Sequence, residues 1–261
     1  MVPIKNLLIY ISKYRKFDTE GSVVIKIQID NSLDLGWKRE DILLVTNFPY
    51  EYNGVKAIII GDNNLCKFTR QASKINAILT LFESGLIKDE LYFFHDLDVF
   101  QMEPIELEIP KDSIATTDYG GSDLWNTGVI FFRQNTWDIF KKIREVVYKY
   151  KTDEERALMA LTGHDVGMTS AHSVGKLIPA DKENFNERVI KLNPTYNFIP
   201  RYLEESYKLA EKPIKCVHFH LIKKKKWEKE SQYDIVVKGQ NSLGIPLVNE
   251  RLKLILNKHG L

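Results

Sequence analysis

Continuous apolar runs, and not alternating ones, mark the strands in the first hundred residues of this chain. Such runs are typical of strands buried on both faces of a parallel sheet, because helices then cover each face. A helical spacing of apolar residues over residues 69–84 follows the third run, and Gly85 stands just beyond its end. The four runs span residues 7–11, 42–46, 55–60 and 91–94.

The order of strand, helix and strand predicts an α/β fold with a Rossmann-like, mostly parallel central sheet flanked by helices. The second half has shorter strands, amphipathic helices and a loop-rich stretch that contains several prolines. Its predicted strands span residues 130–132 and 216–221, and its predicted helices span residues 136–150, 154–162 and 248–257. We expect a single domain over residues 1–261.

The composition is that of a soluble globular protein, with 44% hydrophobic and 28% charged residues among 261. Thirty-seven Lys and Arg residues against 35 Asp and Glu residues leave a formal charge of +2, too balanced for binding nucleic acid by bulk charge. Cys66 and Cys216 are too few for a disulfide framework or a cysteine-based zinc site. Because the chain has no signal-cleavage pattern and no apolar segment of roughly 20 residues, we expect a cytoplasmic protein without a transmembrane segment.

Two aspartates, Asp96 and Asp98, follow the apolar run at residues 91–94, with only His95 between the run and Asp96. Side chains at i and i+2 of an extended chain point to the same side, and open α/β sheets bind ligands at the carboxyl ends of their strands. A pair of carboxylates there favours a divalent cation, which commonly completes its coordination with substrate phosphate oxygens. The alternative is a pair of surface aspartates that cap a turn.

Two histidines, His218 and His220, share one face of the predicted strand at residues 216–221. Imidazole beside carboxylates moves the preference from magnesium and calcium toward manganese. The four lysines at residues 223–226 could stabilise the charge that builds on a diphosphate leaving group near such a metal. The alternatives are hydrogen-bonded core histidines and a lysine loop that faces solvent or acidic lipid.

A third feature is Asn126, Thr127 and Gly128 before the strand at residues 130–132, an arrangement that turn chemistry alone also produces. In chain order the three features resemble the metal-dependent GT-A glycosyltransferases and, within them, glycosyltransferase family 8, the group of glycogenin and the bacterial galactosyltransferases. The resemblance covers roughly residues 5–230. The matched positions are Asp96-Leu97-Asp98 for D-x-D, Asn126-Thr127-Gly128-Val129 for N-x-G-V, Gly163-His164-Asp165 for part of D-Q-D, residues 192–197 for L-x-x-x-Y-N, and His218, Phe219, Lys226 and Trp227 for the closing motif.

The resemblance implies transfer of a sugar from a nucleotide-sugar donor, a UDP-sugar, to a hydroxyl of a carbohydrate or glycan acceptor, with retention. It implies a Mn²⁺ or Mg²⁺ ion held by Asp96 and Asp98 together with His218, His220 or both. Residues 1–100 would form the nucleotide-binding half and residues 101–230 the half that completes the acceptor and metal sites. Residues 231–261 would form a C-terminal helical tail.

Further site residues are expected in the same pocket. Asp165 and Asn126 are expected to be catalytic residues on the acceptor side, with Asn197 beside them. Arg70 and Lys74, four apart on the predicted helix, could reach the diphosphate, although a solvated helix face explains them unless a pocket forms beside Asp96. The other expected donor contacts are Tyr10, Ser12 and Lys13 for the base or ribose, Lys223, Lys226 and Trp227 for the diphosphate, and Asp118 and Asp123 for donor hydroxyls. For Tyr10 the alternative is core packing, and for Asp118 and Asp123 it is a turn.

Three other functions stay open. A nucleotidyltransferase would use the same carboxylates, but it usually carries a Gly-rich phosphate loop near the N-terminus, and residues 8–20 contain no glycine. A non-catalytic nucleotide-sugar-binding module would keep the fold without the metal-ligand geometry, and a metal-dependent phosphohydrolase would rest on the acidic cluster at residues 95–98. The C-terminal helix, residues 247–256, could make weak peripheral contact with a membrane or pack onto the domain.

Overall fold

The computed structural model describes residues 3–119, 124–167, 177–181, 183, 185–199, 207–219 and 250–260. Its strands are β1 (Ile4–Tyr10), β2 (Ile42–Thr46), β3 (Glu51–Tyr52), β4 (Val55–Lys56), β5 (Ile58–Ile59), β6 (Leu91–His95), β7 (Val99–Gln101), β8 (Ile114–Asp118), β9 (Trp125–Phe132), β10 (Val166–Gly167), β11 (Leu177–Ile178), β12 (Val189–Lys191) and β13 (Cys216–His218). Its helices are α1 (Thr19–Asp34), α2 (Ser73–Glu83), α3 (Trp137–Tyr150), α4 (Glu154–Leu161) and α5 (Glu250–Lys258).

A seven-stranded sheet in the order β12-β8-β9-β6-β1-β2-β5 forms the centre of the fold. The strands from β6 to β5 pair in parallel, as do β12 and β8. Strand β9 runs antiparallel to both of its neighbours, β6 and β8. The mostly parallel α/β sheet predicted from the apolar runs is therefore confirmed, and the change of strand direction falls beside β6.

Helices cover both faces of this sheet because its central strands are apolar on both sides. Every residue of β6 and β9 is buried. Adjacent residues of β1 enter different clusters: Leu7 packs with α2 and α3, whereas Leu8 packs with Ile25 and Ile29 of α1. This alternation is the two-residue period of a strand, and it fixes which helices lie on which face.

Helix α1 was not predicted, because its sequence lacks the apolar periodicity of the other helices. Its buried face includes the polar residues Gln28, Asp30, Asn31 and Ser32. Because polar residues occupy inward positions, no continuous apolar stripe reveals the helix. Its start does carry a local signal, since the Asp18 side chain accepts a hydrogen bond from the Gly21 N–H as an N-cap.

Other boundaries also differ from the predictions. The single strand predicted over residues 55–60 is two short ones: β4 pairs back with β3 in a hairpin, and β5 joins the large sheet beside β2. Strands β7, β8 and β12 were not predicted, since each is short and lies between polar or proline-containing segments. Part of the predicted strand at residues 216–221 lies outside the described residues.

The last described helix, α5, packs onto the domain. Ile255 and Leu256 are buried in a cluster with Val24 and Ile27 of α1, while Leu254 is exposed. Packing onto the domain, one of the two alternatives for this segment, therefore accounts for Ile255 and Leu256. Peripheral membrane contact stays a prediction. Within the described ranges, no helix is both long and apolar enough to cross a bilayer.

Candidate active site

The turn after β6 carries Asp96 and Asp98 at the carboxyl end of the central strand. The Asp96 N–H donates to the Gly128 carbonyl at 2.8 Å, which joins the turn to β9. The Val99 N–H donates to the Asp96 carbonyl at 3.0 Å, so the chain reverses within these residues and continues as β7. Both aspartates line the same cleft, as the spacing and the strand end predict.

His218 reaches this turn because β13 pairs antiparallel with β7, with His218 opposite Val99. Its Nε2 lies 3.4 Å from Asp98 Oδ1, and the Phe219 N–H donates to the Asp98 carbonyl at 2.9 Å. Burial disfavours the imidazolium, but the carboxylates of Asp98 and Asp96 together outweigh it and raise the pKa of His218. The structure thus brings together one histidine and one aspartate that are far apart in the sequence.

The other ring nitrogen of His218 is also fixed. Nδ1 lies 3.1 Å from Asn197 Oδ1, and Asn197 Nδ2 in turn donates to Thr117 Oγ1 at 3.0 Å. Because the amide oxygen can only accept, Nδ1 carries the proton and donates it. The imidazole is therefore held with Nε2 directed at Asp98.

Gly128 makes room for this imidazole. A Cβ added at Gly128 would lie 2.7 Å from His218 Cε1 and 2.9 Å from Asn126 Oδ1. Those separations are shorter than any ordinary van der Waals contact, so only glycine fits while His218 keeps its place. This close approach gives a physical reason for the Asn-Thr-Gly segment that turn chemistry alone does not.

A buried lysine, Lys74, contacts several oxygen atoms of the site at once. Its Nζ lies 3.1 Å from both carboxylate oxygens of Asp96, 3.1 Å from Glu154 Oε1 and 3.0 Å from the Thr127 carbonyl. Burial disfavours the ammonium, but the carboxylates of Asp96, Glu154 and Glu155 outweigh it and raise the pKa of Lys74. Lys74 therefore stays charged, and it belongs to the pocket beside Asp96 and not to a solvated helix face.

The first residues of α4 add two carboxylates that the sequence did not single out. Glu154 is 2% exposed, and within the described residues its Oε2 has no hydrogen-bond partner. The Glu155 carboxylate lies 3.0 Å from the Tyr119 hydroxyl and accepts from the Thr127 N–H at 3.1 Å; burial raises its pKa to about 7. The Asn126 Nδ2 is also buried without a partner among the residues described. Within the part of the chain that the structure describes, Glu154 and Asn126 thus line the cleft while each keeps one buried polar atom unpaired.

The cleft around these groups has a volume of about 620 Å³. Its charged lining residues are Asp18, Glu20, Asp96, Asp98, Asp153, Glu154 and Glu155 on the acidic side, with Arg70, Lys74 and His218 on the basic side. At one end, the Arg70 guanidinium lies 5.0 Å from the centre of the Tyr10 ring and 3.5 Å from Asp18 Oδ2. Arg70 precedes α2 and is not on it, so the expected helix face shared with Lys74 is wrong, although both residues line the cleft.

Several predicted site residues lie elsewhere. Asp165 is exposed, outside the cleft lining, and accepts a hydrogen bond from the Ala180 N–H at 2.9 Å. Ser12 is buried, and its N–H donates to Asn47 Oδ1. Lys13 is exposed, and neither residue lines the cleft. Asp118 is buried against Lys191. Asp123, His220, Lys223, Lys226 and Trp227 lie outside the described residues.

Glu154 lines the cleft, whereas the predicted acid Asp165 does not. Both follow α3, but only the start of α4 faces the cleft. The sequence signal was present, since Asp153 caps α4 and the next two residues are acidic, a pattern that also marks an ordinary helix start. Because the pattern has that ordinary interpretation, the sequence did not single out Glu154 as a residue of the cleft.

The donor atoms at Asp98 and His218 fit a divalent cation. A carboxylate faces an imidazole whose second nitrogen is fixed by an amide, which is how proteins orient metal-ligating histidines. Asp96 differs, because both of its oxygens face Lys74 and it would join an ion only by sharing it with the ammonium. Among the described residues, no group of three or more His, Cys, Asp or Glu side chains has the geometry of a metal site.

Comparisons with known proteins agree on the fold. No family model and no curated protein matches the chain by sequence. Among solved structures, the galactosyltransferase LgtC, determined with donor and acceptor sugar analogues, has a TM-score of 0.54 at 13% identity over 96% of this chain and 99% of LgtC. The glycosyltransferase GlyE of Streptococcus pneumoniae TIGR4 has a TM-score of 0.55 at 13% identity over 88% of this chain and 58% of GlyE. The bifunctional glycosyltransferase WbbM has a TM-score of 0.51 at 11% identity over 89% of this chain and 48% of WbbM.

These similarities confirm the GT-A fold predicted from the ordered motifs. At such low identity they concern the fold alone. Membership of glycosyltransferase family 8 stays a prediction, as do the metal ion and the UDP-sugar.

Proposed function

We propose that this chain is a glycosyltransferase that moves a sugar from a nucleotide-sugar donor, a UDP-sugar, to a hydroxyl of a carbohydrate or glycan acceptor. The observation that carries the proposal is the 3.4 Å contact between His218 Nε2 and Asp98 Oδ1 at the carboxyl end of β6. Two distant segments meet there, inside a cleft of about 620 Å³, on a fold shared with glycosyltransferases.

The nucleotide would lie along the cleft from Tyr10 to Asp98. At one end, the exposed Arg70 guanidinium, which lies over the buried Tyr10 ring, would stack on the base. At the other end, Asp98 and His218, with Asp96 beside them, would hold a Mn²⁺ or Mg²⁺ ion, which when bound neutralises the negative charge that develops on the diphosphate leaving group. The lysines at residues 223–226 are proposed to assist that leaving group.

The transferred sugar would face Glu154 and Asn126. Among the described residues Asn126 Nδ2 and Glu154 Oε2 are buried without a partner, and a sugar hydroxyl, which both donates and accepts, would supply one to each if these side chains turned toward it. As the bond to the leaving group breaks, positive charge develops at the anomeric carbon, and a buried carboxylate stabilises that charge strongly. Glu154 therefore takes the role first assigned to Asp165. Retention is the expected outcome, and it remains part of the proposal.

A donor screen tests the function. The chain is incubated with UDP- and GDP-sugars, with and without Mn²⁺, and release of the nucleoside diphosphate is measured without acceptor. The proposal predicts Mn²⁺-dependent release from one UDP-sugar. Metal-independent UDP binding in calorimetry without release from any sugar nucleotide would instead indicate a binding module, and phosphate release from simple esters would indicate a phosphohydrolase.

A further inference from the structure

Helix α1 buries two amide side chains, Gln28 and Asn31, which are 1% and 2% exposed. Burying an amide is unfavourable unless its hydrogen bonds are satisfied. Both amides belong to the face of α1 that packs against the segment after β6, and each donates to a backbone carbonyl there. The two amides donate to different carbonyls, and those of Gln28 lie next to Asp98.

The Gln28 side-chain amide donates hydrogen bonds to the backbone carbonyls of the residues before and after Asp98. Nε2 donates to the Leu97 carbonyl at 2.7 Å and to the Val99 carbonyl at 2.8 Å. The carbonyl of Asp98 itself accepts from the Phe219 N–H at 2.9 Å. Three consecutive carbonyls are therefore held by donors from two separate elements, α1 and the chain that follows β13.

Asn31 lies one turn further along the same helix and holds a different part of the chain. Its Nδ2 donates to the Gln101 carbonyl at 2.7 Å, beyond the aspartates. Removing the Asn31 amide would loosen the end of β7. Removing the Gln28 amide would leave the Leu97 and Val99 carbonyls beside Asp98 without this donor. Asn31 is thus a matched control on the same helix.

We propose that Gln28 is a positioning residue, which fixes the backbone of the Asp96–Asp98 turn so that the Asp98 carboxylate meets His218. Its importance for catalysis rests on the proposed function. With both hydrogens of the amide in use, the turn can adopt only the arrangement that points Asp98 into the cleft. Without them, the buried carbonyls would turn toward other donors, and the carboxylate would turn with them.

The experiment compares Gln28→Met, which keeps the length and removes both donors, with Asn31→Leu. Calorimetry of UDP with and without Mn²⁺ measures the site, and thermal unfolding measures stability. We expect Gln28→Met to weaken Mn²⁺-dependent UDP binding at least tenfold and to leave metal-independent binding within threefold. Asn31→Leu should change neither Mn²⁺-dependent nor metal-independent UDP binding by more than threefold, even if it lowers the unfolding midpoint as much as Gln28→Met does. Equal weakening in both variants, or none in Gln28→Met, would overturn the proposal.

A second readout separates this inference from the proposed function. Amide hydrogen exchange at Phe219 reports the bond to the Asp98 carbonyl without any nucleotide. In Gln28→Met, or in Gln28→Glu if the first variant does not fold, exchange at Phe219 should be at least tenfold faster than in Asn31→Leu. If the wild type binds no UDP while this acceleration is seen, the proposed function fails and the positioning stands. Unchanged exchange overturns the positioning.

Discussion

Replacing Lys74 with methionine would remove the buried cation of the site. Methionine has a similar length and no charge, so it fills the same space while Asp96 and Glu154 lose their shared partner at 3.1 Å. The Thr127 carbonyl loses its donor in the same step. The question is how much stability that arrangement contributes.

The two carboxylates contribute unequally to the expected loss. The Asp96 side chain is 34% exposed and regains solvation, whereas the Glu154 side chain is 3% exposed and does not. Breaking a buried ion pair by removing one partner costs roughly 3–5 kcal/mol. Since the penalty falls mainly on Glu154, we expect the variant to lose about 3–4 kcal/mol at pH 8. For a chain of this length that lowers the unfolding midpoint by roughly 10 °C.

The dependence on pH identifies the cause. Burial raises the pKa of Asp96 and of Glu155, and the Lys74 charge opposes that rise. Without Lys74 both pKa values rise further above their unfolded values, so the destabilisation is complete at high pH and shrinks as protonation neutralises these carboxylates. The assay is thermal unfolding at pH 8 and pH 5, with Lys111→Met as control, because Lys111 pairs with Asp89 at 3.2 Å while its side chain is 67% exposed. We expect the control to change by less than about 0.5 kcal/mol. A loss at Lys74 below about 1 kcal/mol, or one that does not shrink at pH 5, would refute the reasoning.

Two further predictions concern the groups around the cleft. Gly128→Ala should displace the His218 imidazole and lower the free energy of unfolding by about 1–3 kcal/mol. It should also weaken Mn²⁺-dependent UDP binding, and unchanged binding in calorimetry would contradict a role for the close approach of Gly128 to His218. Glu154→Gln should lower kcat for sugar transfer about 100-fold by removing a charge beside the anomeric carbon, whereas Asp165→Asn should leave kcat within twofold. The opposite pattern in steady-state kinetics would return the role to Asp165.

The fold was largely readable from the sequence, because strands buried on both faces leave continuous apolar runs. Strand β6 is such a run, and the position of Asp96 and Asp98 at a ligand-binding edge follows from it directly. Helix α1 was not readable, since its inward residues include Gln28 and Asn31, whose partners are carbonyls about 70 positions away. No local pattern carries that information.

The sequence predicts the residues of the candidate site where a chemically suitable residue type follows the end of a strand. It does not predict them where tertiary packing decides which side chains face the cleft. Pairing of β13 with β7 brings His218 to Asp98, as the ordered motifs suggested. The acid that lines the cleft, Glu154, lies eleven residues before the predicted Asp165, because Asp165 fits a loose motif while Glu154 resembles an ordinary helix start. Only burial distinguishes the two, and burial depends on how α4 packs against β9.

Turnover in the Asp98→Ala variant tests the central claim most directly. With the UDP-sugar that the wild type uses and saturating Mn²⁺, UDP release is measured for wild type, Asp98→Ala and Asp165→Asn. We predict that Asp98→Ala loses at least 100-fold in kcat/KM while Asp165→Asn retains wild-type turnover. Wild-type turnover in Asp98→Ala would contradict a nucleotide-sugar site built on Asp98 and His218.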